Sequence, residues 1–338
     1  MGLIPDEYMR PDMMAIGDSL YQGVRSLTIK RGMMQLSAPA QVAEALGIRH
    51  RFSCPDPARA ILADMEVWLR MLPSLSDVKA DLAVNTDYWF GKPKSPSGRE
   101  FFENVAVASA MVADLYTRTW QTSDDYLKGL PSDVKRRIKN LEWGGLELGG
   151  IVQSLNARFT LNPSGKRRFR GLTQLGLVTS RRPKRLLINI GSNNGLWDMA
   201  FEANPRGQIR MNQELKILAQ QLSALPPDIE EIYFNSLALP IPAPNLMPVP
   251  DHEEWRRKPG AGAYYKRYEN RFGFEYGTLT GAQLERLDAR VAKANEEARR
   301  ILRAVFDDNK RLHFVDLASS QKSRDAKHRR QTEKNVLN

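Results

Sequence analysis

Residues 13–20 read Met13-Met14-Ala15-Ile16-Gly17-Asp18-Ser19-Leu20. The apolar half predicts a short strand, and Gly-Asp-Ser-Leu predicts a tight turn into a helix-like segment carrying Gln22, Gly23 and Val24. A strand that ends this way sets its last side chain on the C-terminal edge of a parallel sheet, where open α/β folds place their ligands. Gly17 lets the backbone turn closely. Ser19 then stands at a helix start, where free N–H groups and the helix dipole favour developing negative charge. A serine hydroxyl needs that help and a base before it acts as a nucleophile. A plain turn in which Asp18 or Ser19 caps the helix fits the same letters, so this stretch alone leaves both readings open.

The composition bounds the rest. A chain of 338 residues suits one large domain or two ordinary ones, and 42% hydrophobic residues suffice for a packed core. Cys54 is the only cysteine, which rules out a disulfide within the chain. Met1 to Arg10 carries Asp6 and Glu7 and lacks the apolar segment of a secretory leader, and no run reaches the length of a membrane span. The expectation is a soluble, cytoplasmic protein. The net charge of +11 is scattered over Lys135-Arg136-Arg137, Lys166-Arg167-Arg168, Arg181-Arg182, Arg256-Arg257-Lys258 and Arg329-Arg330. No zinc-finger spacing, RNA-binding signature or heptad region organises these positives. They read as solvated surface with no specific nucleic-acid partner, and weak binding to an anionic surface stays open.

Five strands are expected in alternation with helices. The first is the stretch already quoted. The second is Asn104-Val105-Ala106-Val107-Ala108-Ser109-Ala110, whose small and β-branched residues suit a buried parallel strand. The third, Arg185 to Ile190, runs into Gly191-Ser192-Asn193-Asn194-Gly195. The fourth is Ile232 to Leu239, ended by a proline-rich loop from Pro240 to Pro250, and the fifth is Leu312 to Leu317. Helical patterns are expected over Pro39–Leu46, Ala58–Leu72, Met211–Leu225 and Thr280–Val305, the last with Thr280 and Gln283 placed as a capping box. The apolar spacing of Ile61, Leu62, Met65, Trp68, Leu69 and Leu72 predicts a core-facing stripe. Residues 111–180 are mostly helical, with Asn162 to Arg168 as their clearest loop. This order argues an α/β fold, a three-layer α/β/α sandwich on a five-stranded parallel sheet of flavodoxin-like type. Residues 1–338 then form a single domain, with 111–180 a helical insertion or cap.

Three blocks in this order resemble the SGNH hydrolases, the GDSL family of serine esterases and lipases. Gly17-Asp18-Ser19-Leu20 matches the block that carries the nucleophile. Asn104, Ala106 and Ser109 fall at the spacing of Asn-x-Ala-x-x-Gly, with Ser109 in place of the glycine. Gly191-Ser192-Asn193-Asn194 matches Gly-x-Asn-Asp, with Asn194 in place of the aspartate. The resemblance implies hydrolysis of a carboxylic ester through an acyl-enzyme on Ser19, or acyl transfer to an alcohol. The Ser19 N–H, Ser109 N–H and Asn193 amide would receive the oxyanion. The substrate would be a small-molecule or lipid ester, and no metal or organic cofactor is implied. Such chemistry asks for fixed donors, because each donor aimed at a tetrahedral oxyanion is commonly worth about 3–4 kcal/mol of barrier.

The family's last block is Asp-x-x-His, the histidine activating the serine and the aspartate orienting it. His328 alone of the four histidines has that spacing, in Asp325-Ala326-Lys327-His328. Asp325 and His328 are the provisional pair. The block sits in a charged stretch without its usual apolar and Gly/Pro surroundings, so a binding module or impaired enzyme without a complete block is the competing reading. Asp251-His252-Glu253-Glu254 lacks the helical histidine spacing of a metal site. Cys54 reads as a small core thiol.

Overall fold

The computed structural model describes residues 10–25, 28–195, 205–238, 246–249, 265–270, 278–306 and 311–324. Strands β1 (Met13–Gly17), β2 (Arg185–Asn189), β3 (Glu231–Asn235) and β7 (Leu312–Val315) form one sheet in the order β1-β2-β3-β7. β1 and β2 pair in parallel from Met13↔Arg185 to Gly17↔Asn189, and β2 and β3 pair in parallel from Arg185↔Glu231. Every residue of β1 is buried, as are Leu186 to Asn189 of β2. Burial of successive residues, which point to opposite faces, means that both faces of these strands are covered.

The sheet has four strands, not the five expected. The Asn104–Ala110 segment lies along the free edge of β1 but forms only an isolated parallel bridge, Ala15↔Asn104. Its inward groups do pair with β1: Val105 N–H and Val107 N–H donate to the carbonyls of Ala15 and Gly17, each at 2.9 Å. Side chains take its outward groups. The Ala106 N–H donates to Asn104 Oδ1 at 3.2 Å and the Ala108 N–H to Gln22 Oε1 at 2.9 Å. Those bonds bend the segment off a regular ladder before it becomes a strand. In space it still occupies the edge place beside β1, so the chain reverses direction of travel across the sheet at β1 and β2. Open α/β sheets bind ligands at the C-terminal ends of the strands where the order reverses.

A second sheet was not anticipated. Strands β4 (Leu246–Pro248), β5 (Arg267–Asn270) and β6 (Thr278–Thr280) are antiparallel, in the order β4-β5-β6. β4 lies inside the stretch expected to be a proline-rich loop. Pro248 lies in β4, which pairs only with β5, and an edge strand tolerates a proline because its missing N–H interrupts no inner ladder. Thr280 then caps the helix Gly281–Val305 through the expected capping box with Gln283. Leu284, Leu287, Val291, Ala294, Ala298 and Ile301 bury one face of that helix.

Two further expectations change. The Ala58–Leu72 pattern yields a helix only over Met65–Met71, capped by Asp64. Ile61 and Leu62 are buried ahead of it, while Leu69 and Leu72 are 64% and 81% exposed. The stripe is therefore core-facing only before the helix starts. The Met211–Leu225 pattern becomes a longer helix, Pro205–Ser223. The chain divides into two compact units: residues 1–193, 220–234 and 309–313, and residues 194–219, 235–308 and 314–338. The segment 111–180 lies within the first. No helix among the described residues is long and apolar enough to cross a membrane.

A buried ion pair between Asp124 and Arg158 joins two helices of the first unit. Asp124, on the helix Trp120–Lys128, receives Arg158 at 3.1 Å, Lys92 at 2.9 Å and Lys128 at 2.8 Å. Arg158, on the helix Leu148–Leu161, also donates to the Trp89 carbonyl. Burial works against the Asp124 charge, but the hydrogen bonds from Lys128, Lys92 and Arg158 outweigh it and hold the carboxyl at about 2. The carboxylate so stabilises the fold at neutral pH, and that contribution is lost as pH falls from about 4 through about 2. Asp124→Ala leaves the buried Arg158 without its counter-charge and is expected to cost about 3–5 kcal/mol of unfolding free energy, measured by urea titration at pH 7.

Candidate functional site

Gly17 ends β1 with φ of 141°, a conformation that side-chain-bearing residues avoid. A Cβ there would collide with the Asn189 carbonyl oxygen. The close approach lets the Asp18 N–H donate to that carbonyl at 3.0 Å. Gln174, on the helix Gln174–Arg181, grips the same residue from the other side: Gly17 N–H donates to its Oε1 at 2.8 Å, and its Nε2 donates to the Gly17 carbonyl at 3.2 Å.

Asp18 caps the helix Ser19–Gln22 by accepting the Leu20 N–H at 3.1 Å. Its Oδ1 also accepts Asn189 Nδ2 at 3.0 Å. Its Oδ2 is buried with no hydrogen-bond partner among the described residues. Burial pushes the carboxyl up to about 7, against the Leu20 and Asn189 bonds that pull it down. The capping role that competed for this turn therefore falls to Asp18. Ser19 is left half-buried, and neither its hydroxyl nor its N–H has a partner among the described residues.

Ser109 is exposed and left-handed, with φ of 64°. That conformation is the physical reason a glycine suits the position, and the serine holds it under strain. The Ser109 N–H has no acceptor among the described residues. Asn193 is exposed at the end of the turn after β2, and its Nδ2 donates to the Ala110 carbonyl at 2.9 Å. An asparagine amide carries two N–H bonds, so this contact leaves one for a ligand. Asn194 turns the other way and donates to the buried Glu214 at 2.7 Å.

The three loops are thus bonded to one another in every pairing. Val107 N–H to Gly17 joins the second to the first, Asp18 to Asn189 joins the first to the third, and Asn193 to Ala110 joins the third to the second. Ser19, Ser109 and Asn193 are brought to neighbouring loops of one sheet edge. Asp325 and His328 lie outside the described residues, as does the stretch Asp251 to Glu254. The described histidines stand elsewhere: His50 is exposed on the short helix Arg49–Arg51, and His313 stacks on Tyr233 at 4.9 Å. Cys54 is buried among Ser37 and Asn104, and burial pushes its thiol up, away from the thiolate a nucleophile needs. Among the described residues no group of three or more His, Cys, Asp or Glu is arranged to hold a metal ion.

Sequence patterning missed the supports. Gln22, Gln153 and Gln174 are buried polar residues that bond the site loops, and the buried Asn156 bonds Gln22. A signal was present for two of them: Gln153, Asn156 and Thr160 recur at three- and four-residue spacing, one polar stripe on an otherwise apolar helix.

Two outcomes follow from this geometry. Ser109→Gly relieves the left-handed strain and is expected to raise unfolding free energy by about 1 kcal/mol in chemical denaturation. Asp18 is protonated in the folded protein at a pH where the unfolded chain is ionised, so wild-type stability declines as pH rises from about 4 to about 7 and levels above it. Asp18→Asn removes that dependence. Its stability relative to wild type is expected to climb across the same window in thermal melts; a constant difference from pH 4 to 8 would contradict the buried neutral carboxyl.

No protein-family model, no curated protein and no solved structure matches this chain.

Proposed function

We propose that this chain is a GDSL-type serine ester hydrolase with a three-layer α/β/α fold. One observation carries the reading: three mutually bonded loops at one sheet edge leave the Ser19 hydroxyl, the Ser19 N–H and the Ser109 N–H without partners among the described residues. The backbone N–H groups of Gly17, Val107 and Ala108 beside them are bonded within the protein, and these remain open.

In this reading Ser19 Oγ attacks the acyl carbonyl of an ester. Its proton passes to a base, and the carbonyl oxygen becomes an oxyanion. The N–H groups of Ser19 and Ser109 and the second amide hydrogen of Asn193 receive that charge. Collapse of the tetrahedral species expels the alcohol, protonated by the base, and leaves the acyl group on Ser19. Water, or an alcohol acceptor, then releases it. His328 oriented by Asp325 is the proposed base pair, and the chemistry needs no metal or organic cofactor. Residues 111–180 both buttress the loops and cap the edge where a small-molecule or lipid ester enters.

A second reading is a binding module that keeps the loops without a working base. Ser109 in place of the glycine and the charged stretch around Asp325-Ala326-Lys327-His328 favour it. The two readings part on one experiment. A fluorophosphonate probe is expected to label wild-type protein at Ser19 and to leave Ser19→Ala unlabelled. Hydrolysis of p-nitrophenyl acetate should fall by about 10⁴-fold or more in both Ser19→Ala and His328→Ala. Folded wild-type protein that takes no label would establish the binding module instead.

A further inference from the structure

We propose that Gln22, Gln153 and Asn156 are positioning residues that hold the Ala108–Ala110 loop with the Ser109 N–H presented to the oxyanion. The proposal rests on the hydrolase reading. Its ground is the number of bonds spent on one strained turn. A residue with a side chain disfavours the left-handed conformation of Ser109, so a free loop would relax and turn the N–H away. Three successive residues are instead held from outside. Ala108 N–H donates to Gln22 Oε1 at 2.9 Å, Gln153 Nε2 donates to the Ser109 carbonyl at 3.0 Å, and Asn193 Nδ2 donates to the Ala110 carbonyl at 2.9 Å.

Each holding amide has its own orientation fixed by further bonds. Gln22 and Asn156 pair reciprocally, both bonds at 2.7 Å, and the Thr160 hydroxyl donates to Asn156 Oδ1 at 3.1 Å. The second hydrogen of Gln153 goes to Asp114 Oδ2 at 2.8 Å, and the same oxygen accepts the Met111 N–H at 2.8 Å. Gln22 and Asn156 are fully buried, and Gln153 and Asp114 are nearly so. An apolar side chain would fill these places without the desolvation that buried amides suffer. Packing alone does not ask for them, whereas holding a peptide group in one orientation does.

The test uses variants that remove the holding atom and variants that restore it. Gln153→Met and Gln22→Met keep length and lose the bond to the loop. Gln153→Lys keeps a donor, and Gln22→Glu keeps the acceptor. Thr160→Val preserves shape and removes only the bond that orients Asn156. Labelling of Ser19 by the fluorophosphonate and the kcat and KM for p-nitrophenyl acetate are measured on protein with wild-type near-UV circular dichroism. The methionine variants are expected to lose roughly 10–100-fold in labelling rate and kcat, with KM within about twofold. Gln153→Lys and Gln22→Glu should recover most of that loss, and Thr160→Val should slow labelling by about threefold. A purely structural role predicts earlier melting with wild-type rates in the folded protein; that outcome, in the methionine variants or in Thr160→Val, overturns the positioning role and leaves the hydrolase reading intact. Wild-type protein that takes no label overturns both.

Discussion

Everything at the candidate site depends on how closely β1 approaches β2 at their C-terminal ends. Gly17 has no Cβ, and the Asn189 carbonyl lies where one would be. Because of that contact the Asp18 N–H reaches across to β2, and Asp18 is drawn into the core rather than left in the turn. With Asp18 committed to the Leu20 N–H and to Asn189, the next residue is free to point outward. The freedom of Ser19 is thus a consequence of the constraint on its neighbours, and a side chain at position 17 would remove both.

The same logic repeats one layer further out. The Asn104–Ala110 segment is not a strand, yet its place beside β1 is secured by bonds to Ala15 and Gly17 on one side and to side chains on the other. Gln22 stands on the helix Ser19–Gln22, and Gln153, which holds the Ser109 carbonyl, stands on the helix Leu148–Leu161. That helix is anchored through Arg158 to the buried Asp124, and so carries the orientation of an exposed turn back to a buried ion pair. Apolar packing could hold the helix in place, but only directional bonds determine which way a single peptide group faces.

Much of this was legible in the residues. Apolar runs ending in glycine announced β1 and β2, because a strand covered on both faces has no room for polar alternation. The Thr280–Gln283 pair announced its helix because capping is local chemistry. What was hidden is what depends on partners distant in sequence. Val105 and Val107 have strand propensity, but Gln22 and Asn104 claim the outward N–H groups and deny the segment a second neighbour. The strands of the antiparallel sheet are three or four residues long, too short for a period to declare itself. The apolar spacing of 58–72 is genuine, yet Asp64 starts the helix late, and Leu69 and Leu72 face outward. Within the site, Ser19 and Asn193 could be placed by the turns they end, whereas the meaning of Gln153 and Asn156 lies entirely in what they touch.

The separation of the bonded parts along the chain has a kinetic side. Asp18 and Asn189, joined by a side-chain hydrogen bond, stand 171 residues apart, and Gly17 and Gln174 stand 157 apart. Closing such long loops carries an entropic cost that local helices do not meet, and folds dominated by distant pairings form slowly. During synthesis the Gly17–Leu20 turn leaves the ribosome early and waits for more than half of the chain before Asn189 exists. Until β2 arrives, Asp18 is an ordinary solvated carboxylate and Ser19 an ordinary hydroxyl. The site is therefore completed with the β1–β2 pairing, and a chain interrupted before Asn189 contains the serine and the Asn104–Ala110 loop but lacks the Asn189 and Asn193 contacts.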